Sequence, residues 1–375
     1  MIAVLLLPVP AAGQEKADMA AGVQTVLDGL DFTHTQDILL IIPGNEGVMN
    51  IREAVAAIAS GKTISAEALM ESLLEGFFVR FGEMKATMLA IMLPVLLSGI
   101  LMNALSDAKN TLKDMSRTAC FVLVFVPVIG LVVNELAHTR QTIIQMTSRM
   151  DKLLPMLLTL LTALGGSASS AFLHPVVIAA SGSMVFLARE VVLRLVMCTC
   201  AVTAVNRLSG GTHLTRMAQL LRSAVCWLLG VSFTVFLGAM SLQGICSASI
   251  DGVAIRAAKY AVDNFVPIIG GMFSDTMDTL VGCTLIIKNA LGAAAAIALL
   301  GVLVSPLLGT AASVFMLKLC AALLEPVASQ EIVAAICDFA RTIVLFFVTM
   351  LCVATMYFLL IVQVLLVGNL TVMLR

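Results

Sequence analysis

Apolar residues run in long uncharged blocks along this chain, separated by short polar segments. A membrane-crossing helix needs about 20 consecutive, mainly apolar residues, and blocks of that length fall at 86–105, 118–137, 224–246 and 342–367. The region 153–206 is long enough for two or three further spans. It is interrupted at Gly165-Gly166-Ser167, at His174-Pro175 and at the charges Arg189, Glu190 and Arg194. Two shorter blocks, 291–308 and 311–324, flank Ser305-Pro306 and Gly309 and read as half-spans or a hairpin. The pattern predicts an all-α, polytopic membrane protein with about seven or eight transmembrane helices, some of them broken or re-entrant.

The chain before the first span is different. Residues 1–12, MIAVLLLPVPAA, end an apolar run in small residues, like the core and cleavage end of a signal peptide. With no basic segment before them, they read either as a signal peptide whose start lies upstream of Met1, the favoured reading, or as an unusual short anchor. Residues 13–64 are polar and acidic and read as a small, helical, extracytoplasmic head. In 65–85, Ser65 suits an N-cap, and Leu69, Leu73, Phe77 and Phe81 recur every fourth position. That is an amphipathic helix next to the membrane, lying either on the bilayer surface or on the head. Residues 86–375 form the multi-span membrane domain.

Composition agrees with this division. Hydrophobic residues make up 60% of the chain, charged residues 12%, and mean hydropathy is +1.05. A soluble domain carries about 25% charged residues, so a chain this apolar needs lipid around it. Residues 13–85 hold eleven acidic and five basic residues, net −6, and the rest of the chain is +5. No basic run points to nucleic acid. The nine cysteines all lie beyond residue 100 without metal-site or disulfide-framework spacing. No phosphate loop, nucleophile–base pair or metal cluster is present, so the reading is not an enzyme and no cofactor is expected.

One segment of the body is not lipid-like. Residues 247–289 carry Asp263, Asn264, Pro267, Gly270, Gly271, Asp275, Asp278, Lys288 and Asn289. Pro267 removes a backbone donor and Gly270-Gly271 loosens the chain. Free amides and carbonyls cannot face hydrocarbon. These nine residues are therefore candidates for a broken helix or the polar lining of a conduit, against the plainer reading of a surface loop with a lysine at a helix end. The Asp151…Pro155 and Asp263…Pro267 segments echo each other weakly, as repeats in transporters do. Basic residues in short loops mark the cytoplasmic side. Lys109, Lys113 and Arg117, with Arg207, Arg216 and Arg222, fit an exported head, whereas a loop holding Arg140, Arg149 and Lys152 conflicts with it.

Three stretches carry a resemblance to a known family. They are FLHPVV (172–177), RLSGGTHLTRMAQLLRSAVCWLLGVSFTVFLG (207–238) and DGVAIRAAKYAVDNFVPIIGGMFSDTMDTLVGCTLIIKNALG (251–292), with GNLTVMLR (368–375) at the end. From about residue 65 onward the chain resembles stage III sporulation protein AE of endospore-forming bacteria. The resemblance implies a multi-pass protein of the mother-cell membrane around the forespore. It implies work with the other stage III sporulation A-operon proteins and with stage II sporulation protein Q, in a channel or secretion-like complex between the two cells. On that reading the chain forms part of the conduit or export gate. A homo-oligomer is compatible with it. The alternatives are a self-contained small-molecule permease feeding the forespore and a passive membrane scaffold for the channel ring proteins.

Overall fold

The computed structural model describes residues 39–41, 48–50, 55, 66–104, 110–164, 167–208, 214–265 and 270–373. Side chains are described at 55, 74–97, 119, 122–164, 170–171, 174–207, 214–243 and 282–369. The expected signal peptide lies outside these residues. In the head, β1 (Leu39–Ile41) and β2 (Val48–Asn50) pair antiparallel with Leu40 opposite Met49. Everything described after residue 65 is helical apart from short turns: α1 (Ala66–Glu83), α2 (Lys85–Ala104), α3 (Asn110–Ala163), α4 (Ser167–Phe186), a π-helical turn (Leu187–Val192), α5 (Leu193–Leu208), α6 (Thr215–Phe265), α7 (Gly270–Leu324) and α8 (Gln330–Met373).

The helices are fewer and longer than the hydropathy blocks suggest. Among the described residues, five stretches are long and apolar enough to cross a membrane: Val122–Ala163, His174–Arg207, Thr215–Gln243, Gly282–Leu324 and Gln330–Asn369. The blocks 291–308 and 311–324 are one continuous helix through Pro306, not two half-spans. The expected loop holding Arg140, Arg149 and Lys152 is the middle of α3, which runs for 54 residues through Pro127 and Pro155. The charges Arg189, Glu190 and Arg194 interrupt no helix either, because the π-helical turn joins α4 to α5 directly. Each proline removes one hydrogen bond and kinks its helix. Ending the helix would strip several backbone groups of partners where lipid offers none, so the chain stays helical.

The core sits around α8, which touches α3, α4, α5, α6 and α7. Phe339, Ala340, Phe346, Met350, Val353 and Leu360 are all buried along its length. Small residues let α7 approach closely: Ala294, Ala295 and Ala298 are fully buried, and a methyl on Gly292 would lie 2.5 Å from Leu365 Cδ2. Where water-driven association is absent, such small-residue seams let van der Waals packing hold helices together.

The amphipathic helix expected at 65–85 is α1. It docks against α7. Phe81 packs on Phe315 with ring centres 5.6 Å apart, and Phe77 on the same ring at 6.2 Å. Arg80 donates to Ser305 Oγ at 3.0 Å.

Candidate functional site: a charged helix in a charge-free band

Contacts between helices fix their relative register. Glu135 meets Thr310 and Ser313, and Arg149 meets Ala298, so α3 and α7 are antiparallel. Phe125 meets Phe339 and Thr147 meets Tyr357, so α3 and α8 are parallel. Arg222 with Asp338, and Gln363 with Met240, make α6 parallel to α8.

Three of these helices have long charge-free tracts: 223–250 in α6, 289–317 in α7 and 342–373 in α8. By the register, the α7 tract faces roughly residues 130–158 of α3, a length of about 40 Å at 1.5 Å per residue. That covers a hydrocarbon core of about 30 Å. Within the same band α3 carries Glu135, Arg140, Arg149, Asp151 and Lys152. α3 therefore carries these charges through the depth where α6, α7 and α8 carry none, and Arg80 of α1 reaches Ser305 in the same band.

Several inward groups of α3 are matched by partners on α7 and α8, whereas the buried Thr139 Oγ1 has none. The Glu135 carboxylate, 4% exposed, accepts from Thr310 Oγ1 at 2.8 Å and from Ser313 Oγ at 2.6 Å. Both hydroxyls also have a helix carbonyl one turn back, Pro306 O at 3.0 Å and Gly309 O at 3.1 Å. Arg149 Nη1 donates to Ala298 O at 3.1 Å. Further along, Tyr357 OH donates to Thr147 Oγ1 at 3.0 Å, and that hydroxyl donates to Ile143 O at 2.8 Å. Buried polar groups must find such partners, since each left alone costs the full loss of its hydration.

Lys288 closes the band at one end. It is fully buried, and its Nζ donates to Leu365 O at 2.9 Å and faces Asn369 Oδ1 at 3.4 Å. Both acceptors are neutral and both lie on α8. Gly368 makes the room: a methyl there would fall on Lys288 Nζ. Lys288 is thus a strut between α7 and α8 in a packed socket, and the neighbouring Asn289 is exposed.

The opposite end holds an arginine cluster. Asp338, near the start of α8, accepts from Arg207 through Nε at 3.2 Å and through Nη2. Arg222 lies 3.5 Å away through Nη1 and donates Nη2 to Asp338 O at 3.0 Å, and Arg341 Nη1 is 3.4 Å from the carboxylate. One carboxylate thus joins α5, α6 and α8.

The expected lining residues fall around a junction. Asp263 and Asn264 are on the last turn of α6, and Gly270, Gly271, Asp275 and Asp278 are on the first turns of α7. Their side chains, and Pro267 altogether, lie outside the described residues. The Asp151…Pro155 echo does not share that setting, because α3 continues through Pro155. Glu135 and Asp338 were missed by sequence reasoning. Glu135 did leave a signal, as a single carboxylate closing an otherwise uncharged block. Among the described residues no cluster of histidine, cysteine, aspartate and glutamate could hold a metal ion.

Comparison with known proteins agrees with the resemblance. The family model for stage III sporulation protein AE matches residues 49–368. The stage III sporulation protein AE of Bacillus subtilis (strain 168) is 30% identical over 259 residues, 68% of this chain and 65% of the relative. The match thus spans slightly less than two thirds of that relative's length. No solved structure matches.

Proposed function

We propose a function that starts from one fact: the chain belongs to the stage III sporulation protein AE family. Membership ties it to sporulation, and its five long apolar helices make it a membrane-embedded protein. Our reading is that it is a component of the channel between mother cell and forespore, forming part of the conduit or export gate. It sits in the mother-cell membrane around the forespore with its acidic head outside the cytoplasm. Its partners are the other stage III sporulation A-operon proteins and stage II sporulation protein Q. It performs no catalysis of its own.

The observation that carries this reading is α3. A pure scaffold has no need of Glu135, Arg140, Arg149, Asp151 and Lys152 at the depth where α6, α7 and α8 are free of charge. Intramembrane charges are costly and mark polar paths or their gates. The α6–α7 junction, with Asp263, Asn264, Asp275, Asp278 and the exposed Asn289, supplies polar groups at the Lys288 end of the same bundle.

The test is cysteine accessibility in sporulating cells, on a background lacking the native cysteines. An impermeant thiol reagent should label Asp275→Cys and Asp278→Cys and leave Val231→Cys on α6 untouched. If neither aspartate position labels, and the combined alanine variant of Asp263, Asp275, Asp278 and Lys288 sporulates normally, the conduit reading fails and the scaffold replaces it. Solute uptake by vesicles holding this chain alone would instead identify a permease.

A further inference from the structure

The outward face of α3 carries a second pattern, beside the exposed Arg140 and Asp151 and away from the buried Glu135. Asn134, His138, Gln141, Gln145 and Ser148 are all exposed. Their spacing is four, three, four, three. None of these side chains has a hydrogen-bond partner among the described residues. At the same depth the outward face of α6 is apolar, with Trp227 72% and Val235 65% exposed. The domain is therefore two-sided in the plane of the membrane. The α6 side suits lipid, and the α3 side does not, because hydrocarbon offers nothing to a carboxamide.

We propose that this stripe is the seam where α3 packs against α3 of a second copy of the chain. Four-three spacing is the 3.5-residue repeat with which two parallel helices keep one face together over several turns. The chemistry is self-complementary. A carboxamide both donates and accepts, and so does a hydroxyl. A twofold axis normal to the bilayer places each residue beside its own counterpart at equal depth, so Gln141 meets Gln141 and Gln145 meets Gln145. Interhelical hydrogen bonds of this kind hold helices together in lipid. Three amides, an imidazole and a serine hydroxyl all offer hydrogen bonds to that contact, and none of them is a carboxylate, lysine or arginine, whereas an ion path would call for rings of one sign. The proposal rests on the membrane depth of α3 and not on the channel reading, so either can fail alone.

The experiment uses the full-length chain in membranes of cells producing it without its partners, with all nine native cysteines replaced. Gln141→Cys, Gln145→Cys and Ser148→Cys should each give a disulfide-linked dimer on mild oxidation, at least tenfold more than Val235→Cys. Adding Gln141→Leu and Gln145→Leu to Ser148→Cys should lower its cross-linking several-fold. Monomer at all three seam positions would overturn the proposal. So would rapid labelling of those positions by an impermeant thiol reagent without cross-linking, which would make the stripe the wall of a water path. As a check that needs no cysteine variant, unmodified protein in lipid nanodiscs should contain two copies by single-molecule bleaching of a terminal label, and one copy would count against the seam.

Discussion

Gly368→Ala tests whether the Lys288 socket holds α7 to α8. The added methyl would fall on Lys288 Nζ, 3.0 Å from Lys288 Cε and 3.1 Å from Leu161 Cδ1. Lys288 is fully buried and has no solvent to move into. Crowding of this sort costs about 1–3 kcal/mol. Losing the bond from Nζ to Leu365 O adds about 1.5–3 kcal/mol if the amine is charged, and the better helix propensity of alanine returns about 1 kcal/mol. The net penalty is therefore roughly 1.5–5 kcal/mol. In a Lys288→Ala background the obstructing chain is gone, and the same substitution should cost less than about 1 kcal/mol, since only coupled neighbours depart from additivity. Unfolding in mixed micelles, measured for wild type, both single variants and the double variant, gives the coupling directly. Equal penalties for Gly368→Ala with and without the lysine would show that Lys288 does not occupy the space beside Gly368.

Five further variants probe the other polar groups, with micellar stability as the readout. Asp338→Ala should destabilise by about 3 kcal/mol, because Arg207 and Arg222 lose their carboxylate while largely covered; Arg341→Ala, at a side chain 68% exposed, should change stability by less than about 0.5 kcal/mol. Removing both hydroxyls that reach Glu135, with Thr310→Val and Ser313→Ala, should cost about 2–3 kcal/mol by leaving a buried carboxylate alone. Glu135→Leu should cost less, since both hydroxyls keep their helix carbonyls, and the reverse order would refute that account. Tyr357→Phe should cost about 1 kcal/mol through the lost bond to Thr147.

The membrane class and the helical content were legible from hydropathy alone, because uncharged blocks of 20 residues have few other uses. Helix boundaries were not. The prolines at 175 and 306 look like stops in the sequence, yet lipid makes a kinked helix cheaper than an ended one. Lys288 was legible as a candidate lining residue, but its packed socket was not, because it depends on Gly368, 80 positions away and opposite it only through the α7–α8 register. The polarity of α3 was hidden for a related reason. Its charges looked like a loop until helix continuity put them at membrane depth.

That continuity also removes a conflict in how the chain would be threaded. Counted as a loop, Arg140, Arg149 and Lys152 contradict the tendency of basic residues to stay inside. On α3 they belong to no loop and drop out of the count. Arg207, Arg222 and Arg341 gather around Asp338 at one end of the bundle, and the helix positions of Lys113 and Arg117 start α3 at the same end. By the tendency of basic residues to stay inside, that end would be the cytoplasmic one. From there α3, the α4–α5 rod, α6, α7 and α8 make five crossings, so the end of α8 emerges on the far side with Lys288 and Asn369. The head depends on α2 alone. Residues 86–106 hold no charge, and 20 helical residues reach about 30 Å, just enough to cross. If α2 crosses, the total is six and the head lies outside, on the same side as the C-terminus. If α2 stays at the surface, the head lies inside. Single cysteines placed in residues 13–64 and after Met373 should therefore label together with an impermeant reagent in intact cells. Labelling of the C-terminal position alone would make α2 a surface helix and put the acidic head in the cytoplasm.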